Sequence, residues 1–418
     1  MYEIVAVLTL IAFVYSMVGA GLERTPIGGA ITFTAIGFAL GPHGFDAIAL
    51  TVDGEGLGTL AQLTLALVLF ADAANTDLRE LARSSVLPRR MLIRGLPLTI
   101  LLGFVLALPL FWGSLGLLEI AILATILAPT DAALGKAVVT DPNVPNRLRT
   151  TLNVESGLND GICVPVFLTF LAFATEVGME HSFVEVGIEL LLEEVGIGLI
   201  VGVGLAAIGA GLVAICENRG WVDDIWRQLS VPMLAVGSYA AAQALGGSGF
   251  IAAFTGGLAF GGLIRTHKHA ALQAAEGIGN AMALLTWVVF GAVIVGDYMM
   301  QATWQMIVYA VLSLTLIRML PIWLSLKGTR LRADEKLFLG WFGPRGLASI
   351  VFGVMLLRTD LPGGPLIATT VVCAILMSII AHGSSAGPLS KLLAGRLRAA
   401  GESEEPADEG EPRNGGDA

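Results

Sequence analysis

Long apolar segments dominate the chain and leave it few choices of fold. Thirteen such segments follow one another along the 418 residues, and short charged loops separate them. A helix needs roughly 20 apolar residues to span a hydrocarbon layer of ~30 Å, which is about the length of these segments. Only 14% of the residues are charged, against about 25% in an ordinary soluble domain. The sequence therefore predicts an all-α polytopic membrane protein.

The spans should alternate in direction, so the loops on the two sides should differ in charge. The predicted spans lie near residues 3–20, 27–43, 58–75, 91–112, 117–138, 151–175, 192–215, 229–245, 248–264, 277–296, 303–325, 335–357 and 364–386. With the N-terminus outside, every Lys and Arg except Arg318, Arg345 and Arg358 falls on the cytoplasmic side. This bias is typical of multi-pass proteins of a cell (inner) membrane. It predicts an odd number of spans and a cytoplasmic C-terminus.

The C-terminal segment differs in composition from the rest of the chain. Residues 402–418 hold seven acidic residues and one arginine, a charge of −6 out of the net −10. Because it is rich in Pro, Gly and Glu, the segment 399–418 is predicted to be a disordered acidic tail. Residues 1–398 are predicted to form the membrane domain.

Six ionisable side chains fall inside predicted spans, where a charge is costly and indicates a functional site. They are Asp72, Asp131, Glu155, Asp160, Arg318 and Arg345. If each arginine neutralises one acid as a packing pair, two carboxylates still remain. This surplus of negative charge predicts a site for a cation or a proton.

The motif ESGLNDG, residues 155–161, brings four polar groups into the sixth span. At 100° per residue, Glu155, Asn159, Ser156 and Asp160 lie at about 0°, 40°, 100° and 140° around a helix. Two glycines and a leucine occupy the remaining positions. A shared polar face favours one site over scattered polar residues.

Two predicted spans contain helix-breaking sequences. The fifth has Pro129 before Thr130 and Asp131, and the twelfth contains GPRG at residues 343–346. Proline removes a backbone donor and disfavours helix at the preceding residue. An unwound fifth span would turn free carbonyls toward a cation, with Asp131 balancing an exposed helix end. Helices 1–6 and 8–13 around a linker helix would place both breaks at equivalent positions, as in inverted-repeat transporters.

Other functional motifs are absent from the sequence. No GxxxxGK[ST] loop supports an ATP-driven pump, and neither a cofactor nor a nucleic acid is expected. The histidines, among them His43 and His382, show no metal-ligand spacing and are interpreted as loop or helix-end residues. The four glycines within residues 256–262 are interpreted as sites of close helix packing.

Together these motifs resemble the monovalent cation:proton antiporters, and more closely their NhaP-type branch, which is related to the eukaryotic sodium/proton exchangers. The resemblance covers residues 55–393 and rests on APTD, TDPNVPNRLRTTLNVESGLNDG, RMLP, WFGPRGLAS and HGSSAGPLSKLL. It implies a thirteen-helix fold of two inverted repeats in a homodimer. Core helices around 91–175 and 303–394 would move against dimerisation helices largely from 1–75 and 192–296.

The resemblance also implies the roles of individual residues. Asp160 would bind the cation and the proton alternately, with Asn159 as its partner. A sodium ion would lie at Asp160, Asp131, Ser156 and Thr130, and Asp72 would join the ion shell. Glu155 would form a structural ion pair with Arg345, and Arg318 would be a supporting residue.

The expected function is that of a secondary antiporter and not of an enzyme. The protein would exchange Na⁺, Li⁺ or K⁺ for H⁺, driven by the gradients alone, because a protonated Asp160 is a poor ligand for a cation. The resemblance implies electroneutral exchange and an elevator-like cycle of alternating access. A potassium/proton antiporter of the same family is the first alternative.

Three further functions stay open on the sequence alone. A transporter of another substrate, such as an organic-anion symporter, would use a similar scaffold, although surplus acids disfavour an anion. An intramembrane protease would need a pair such as Asp72 and Asp131, but no GxGD or GxSG motif supports it. A cation channel would share the acidic site, and proton coupling would exclude it.

Overall fold

The chain is helical in this computed structural model, which describes residues 2–22, 25, 28–46, 55–76, 86–131, 133–176, 187–188, 190–264 and 268–399. No strand occurs among these residues. The predicted acidic tail, from residue 400 onward, lies outside the described residues. The same holds for the predicted cytoplasmic residues Arg24, Arg79, Arg83 and Arg265.

The helices follow the predicted order of spans. They are α1 (Tyr2–Leu22), α2 (Gly29–Leu40), α3 (Glu55–Asn75), α4 (Val86–Leu110), α5 (Leu117–Ile126), α6 (Lys136–Val139), α7 (Asn146–Glu176), α8 (Gly198–Asn218), α9 (Asp224–Ala244), α10 (Gly249–Leu263), α11 (Lys268–Val289), α12 (Trp304–Leu314), α13 (Leu316–Ser325), α14 (Ala333–Trp341), α15 (Leu347–Leu357) and α16 (Gly364–Ala399). Segments of π-helix lie within α4 at Met91–Gly95, before α8 at Leu190–Ile197 and after α11 at Phe290–Val295. Each predicted span corresponds to one helix or to a pair of helices.

Seven helices of the described residues are long and apolar enough to cross a membrane. They are Gly58–Asn75, Val86–Leu110, Asn146–Thr175, Leu192–Asn218, Ala270–Met299, Trp304–Ser325 and Gly364–Ala399. Shorter apolar helices, among them α2, α5, α10 and α15, accompany them. The helix α9 is long enough, but Arg227, Gln228 and Gln243 lower its hydropathy.

Both predicted helix breaks occur. The helix α5 ends at Ile126 and non-helical residues precede α6, while residues 342–346 separate α14 from α15. Pro129 and Pro344 lack the N–H group that a continuing helix would need. The two breaks meet, because the N–H of Asp131 donates to the Pro344 carbonyl at 2.8 Å. Helix ends from two distant spans therefore lie side by side.

A third interruption lies between α12 and α13, where the sequence predicted one continuous span. At Thr315 the backbone leaves the helical region, with φ −109° and ψ −96°. The Thr315 hydroxyl donates to the Val311 carbonyl at 2.7 Å, a bond by which threonine competes with the regular helix pattern. Next to this kink, the Ser313 carbonyl of α12 faces the second break, where Arg345 donates to it.

Close packing through glycine joins α10 to its neighbours. A Cβ at Gly257 or Gly261 would collide with backbone oxygens of α3, and Gly256 lies against α8. A Cβ at Gly262 would meet no atom within 4 Å. The predicted packing role is confirmed for the first three glycines and wrong for Gly262.

Candidate functional site

The polar residues of ESGLNDG are buried together in α7. Glu155 and Asn159 have no exposed surface, and Ser156 and Asp160 are buried as well. Thr130, in the first break, lies within hydrogen-bond distance of three of them. The predicted polar face therefore packs against the unwound fifth span.

Asn159 fixes the backbone of that unwound segment. Its Nδ2 donates to Thr130 Oγ1 at 2.7 Å and to Glu155 Oε1 at 3.2 Å, and its Oδ1 accepts from the Thr130 N–H at 3.2 Å. The hydroxyls of Thr130 and Ser156 are 3.0 Å apart. Both ends of the amide are occupied, so Asn159 positions its neighbours at the site.

Glu155 pairs with Arg318 and not, as predicted, with Arg345. Arg318 Nη1 and Nη2 donate to Glu155 Oε1 and Oε2, each at 2.8 Å, and both side chains are fully buried. Two parallel bonds between guanidinium and carboxylate give a geometrically specific pair. Arg318 lies on α13, immediately after the kink that the sequence did not predict, and the supporting residue is thus the ion-pair partner.

Arg345 serves carbonyl groups at the breaks instead of a carboxylate. Its Nη1 donates to the Ala128 and Pro129 carbonyls at 3.0 and 3.1 Å, and Nη2 donates to the Ser313 carbonyl at 3.1 Å. Its backbone N–H donates to Ser378 Oγ at 2.8 Å. A cation is favourable at the carboxyl end of a helix. The carbonyls expected to face a cargo ion are therefore held by this arginine.

Asp131 forms the opposite contact, at the amino end of α15. Its Oδ2 accepts from the Leu347 N–H at 3.0 Å, and its Oδ1 accepts from the N–H groups of Ala133 and Leu134 at 2.8 and 3.2 Å. An anion is favourable at a helix amino end, where N–H groups have no helical partner. Asp131 balances a helix end, as predicted, but the end belongs to the other broken span.

Asp160 keeps a carboxylate oxygen without a partner. Its Oδ1 is buried and makes no hydrogen bond within the described part of the chain. The acids that act on it electrostatically are Asp131, Asp72 and Glu155. Such an unsatisfied buried acceptor is rare in a native fold and needs an explanation. A bound cation or proton would supply one.

Asp72 reaches the site from a different helix. It lies near the end of α3, partly buried, and its Cβ would be 3.4 Å from a Cβ placed on Gly157 of α7. The helices α3 and α7 therefore pack against each other at Asp72 and Gly157. Whether Asp72 contacts the cargo stays a prediction, as do the ion ligands Asp160, Asp131, Ser156 and Thr130.

Two polar residues near the site were missed by the sequence reasoning. Glu276 on α11 accepts from Asn75 Nδ2 at 2.6 Å and acts electrostatically on Asp72. It lies one residue before the predicted tenth span, so it was not counted as a membrane acid. His382, interpreted as a loop or helix-end residue, is instead buried within α16.

The chain is similar to known membrane antiporters. Residues 8–392 match the family described as sodium/hydrogen exchanger, transmembrane. The K(+)/H(+) antiporter NhaP2 of Shewanella sp. (strain ANA-3) is 25% identical over 397 residues, which cover 92% of this chain and 66% of the relative. The probable Na(+)/H(+) antiporter of Schizosaccharomyces pombe is also 25% identical, with 87% of this chain and 52% of the relative covered. The chain thus spans two thirds or less of these relatives.

A solved structure has the same fold. The sodium proton antiporter MjNhaP1 from Methanocaldococcus jannaschii at pH 8 superimposes with a TM-score of 0.74 at 19% identity, covering 94% of this chain and 98% of that chain. This agreement confirms the predicted all-helical membrane fold. With the family match over most of its length, the chain belongs to the transmembrane sodium/hydrogen exchanger family.

Proposed function

We propose that the protein is a secondary antiporter that exchanges a monovalent cation for H⁺ at Asp160. The observation that carries the proposal is the buried Asp160 Oδ1, which has no hydrogen-bond partner among the described residues. Three further carboxylates act on it, so the site attracts positive charge. A cation or a proton on Asp160 would give its oxygen a partner and would reduce the repulsion between Asp160 and the neighbouring carboxylates.

The exchange would follow from competition for one carboxylate. A hard cation prefers charged and neutral oxygen ligands, and protonation of Asp160 removes the charge on which its binding depends. Ser156 and Thr130 would offer hydroxyl oxygens beside it. Glu155 is neutralised by Arg318, and Asp131 is held by backbone N–H groups. Because Asp160 would hold either one monovalent cation or one proton, each half of the cycle would carry the same charge, and the exchange would be electroneutral.

Na⁺ and K⁺ are both candidate cargoes. Membership of the sodium/hydrogen exchanger family favours Na⁺, and Li⁺ would use the same ligands. The NhaP2 relatives carry the name K(+)/H(+) antiporter, as does the NhaP relative of Alkalimonas amylolytica, 24% identical with 93% of this chain and 66% of the relative covered. These names make K⁺/H⁺ exchange the second candidate.

Vesicles test the proposal directly. Purified protein is reconstituted with an internal pH dye, and NaCl, LiCl or KCl is added at several pH values. We expect the wild type to dissipate an imposed pH gradient on cation addition and Asp160→Asn to lose that response. Asp297→Asn is the matched control, because Asp297 is exposed in the short helix Gly296–Met299 and takes no part in the buried network. Wild-type rates in Asp160→Asn would sink the assignment.

We also propose an orientation of the protein in the membrane. The N-terminus would lie outside and the C-terminus in the cytoplasm of a cell (inner) membrane, as the loop charges favour. A cysteine at the exposed Trp221 should react with an impermeant label from the cytoplasmic side, and one at Trp112 from the opposite side. The reverse pattern would contradict this orientation.

A homodimer and a moving core complete the proposal. Large apolar side chains of α1 and α8, such as Met17 and Ile200, are mostly exposed in a single chain and would face either lipid or a second copy. The proposed dimer contact is formed by the helices of 1–75 and 192–296. The core would comprise the helices around 91–175 and 303–394. A monomeric mass in mild detergent, measured by light scattering, would count against the dimer.

A further inference from the structure

His382 occupies a buried position between α16 and the second helix break. Its side chain is 3% exposed. Nε2 lies 2.8 Å from the carbonyl oxygen of Trp341, the last residue of α14. Nδ1 lies 3.1 Å from Ser378 Oγ and 2.8 Å from the Ser378 carbonyl oxygen. The imidazole therefore joins the end of α14 to the preceding turn of α16.

Both ring nitrogens face carbonyl oxygens, which only accept. Nε2 lies 2.8 Å from that of Trp341 and Nδ1 lies 2.8 Å from that of Ser378, while the Ser378 hydroxyl, also beside Nδ1, can donate or accept. In either tautomer the imidazole therefore bonds to α14 or α16 through an N–H group and lies between the two. The Ser378 hydroxyl oxygen accepts from the Arg345 N–H at 2.8 Å. A chain of three contacts thus runs from the Arg345 backbone through Ser378 and His382 to the Trp341 carbonyl. It connects both ends of the non-helical residues 342–346.

Arg345 connects these hydrogen bonds to the ion site. Its guanidinium holds the carbonyls of Ala128 and Pro129, immediately before Thr130. The Arg345 guanidinium thus links the second break to the first, whose Thr130 also bonds to Asn159 of α7. His382 itself contacts none of the candidate ion ligands in the structure, and its influence on them must pass through Arg345.

We propose that His382 is a positioning residue for cation binding, which holds the second break in register through its bonds to Trp341 and Ser378. Loss of these bonds lets residues 342–346 shift, and Arg345 then no longer presents the first break to Asp160 in its binding geometry. The transport measurement of this proposal rests on the antiport function proposed above. The structural part can be measured without transport.

The test compares His382→Leu with His382→Gln in the full-length protein. Leu keeps the apolar volume and removes both bonds, whereas the Gln amide can still donate to Trp341 and accept from Ser378. In vesicles we expect His382→Leu to raise the KM for the transported cation about tenfold, the order expected when buried partners lose a hydrogen bond. The kcat should stay near wild type, and His382→Gln should restore most of the KM.

Hydrogen–deuterium exchange of residues 342–347 gives the second readout. Exchange should be faster in His382→Leu and close to wild type in His382→Gln. Ser385→Ala is the control, because Ser385 Oγ accepts from Trp341 Nε1 at 2.9 Å between the same two helices without touching the break. Ser385→Ala should change neither the hydrogen–deuterium exchange of these residues nor the KM for the cation.

Two results would overturn the positioning role. The first is a His382→Leu variant with the hydrogen–deuterium exchange rate and the KM of the wild type. The second is a His382→Gln variant as impaired as His382→Leu, because His382 would then act through its packing and not through its hydrogen bonds. If even the wild type moves no protons with Na⁺, Li⁺ or K⁺, the proposed function fails, and the exchange data then still decide whether His382 holds the break.

Discussion

Because Glu155 and Arg318 are both buried, the stability of the protein depends on the presence of both charges. Each charge is compensated by two hydrogen bonds of 2.8 Å to the other, with no exposed surface on either side chain. Removing one member leaves an uncompensated charge in a dry site, whereas replacing both with apolar residues can be nearly neutral. Among the described residues Asp160 has no such partner, and this difference supports the proposal that Asp160 and not Glu155 exchanges its cargo.

The pairing predicts which second substitution rescues the first. We expect Glu155→Ala to lower the free energy of unfolding by about 3–5 kcal/mol, measured as a lower melting temperature in detergent. Adding Arg318→Met should recover most of the loss. Adding Arg345→Met should not, since Arg345 bonds to carbonyls of the first break and of the last turn of α12 and not to Glu155. Recovery with Arg345→Met alone would contradict the observed pair.

At the scale of elements, the two broken spans stabilise each other. Arg345 of the second break lies at the carboxyl end of α5, and Asp131 of the first break lies at the amino end of α15. The charges thus satisfy backbone groups that a break leaves without helical partners. Gly346 makes the contact feasible, because a Cβ there would collide with the Asp131 carboxylate.

Two glycine substitutions test this crossing of helix ends. Gly346→Ala should displace Asp131, lower the free energy of unfolding by about 1–3 kcal/mol and reduce cation/proton exchange. Gly353→Ala is its control on the same helix, since a Cβ there would lie 3.9 Å from Val371. We expect the control to keep wild-type melting temperature and transport. Normal exchange in Gly346→Ala would argue against a tight crossing at Asp131.

At the scale of the whole molecule, the hydrogen bonds of the site stay within one set of helices. The network joins α5, α7 and the helices from α12 to α16, whereas α3, α10 and α11 bring Asp72, Phe254 and Glu276 to its border. Helices that share many bonds are expected to move as a body, and the border is where sliding costs least. This division supports the proposed core.

Cross-linking across that border should stop transport. In a background without Cys163, Cys216 and Cys373, the pair Gly161→Cys and Phe254→Cys joins α7 to α10, which touch at these positions. Oxidation should abolish cation/proton exchange in vesicles and reduction should restore it. Phe254→Cys alone in the same background, oxidised in the same way, is the control and should leave exchange intact. Full activity of the oxidised pair would refute sliding at this surface.

Much of this architecture can be predicted from the local sequence. The spans follow from hydropathy, and the breaks follow from Pro129 and Pro344, because a missing N–H acts on its own turn. The shared face of ESGLNDG follows from helical period. The kink at Thr315 escaped prediction, since threonine bends a helix only where the surrounding packing allows it. His382 escaped for a related reason, as its partners lie 41 and 4 residues away.

The sequence by itself determined that the chain crosses a membrane, where it does so and which polar side chains enter the spans, because these properties depend on neighbours along one helix. Only the tertiary structure decided how the charges are shared. The packing of distant helices placed Arg318 beside Glu155, Arg345 beside carbonyls and Asp131 at the amino end of α15. Among the described residues Asp160 keeps a buried oxygen without a partner, because both buried arginines bond to other groups.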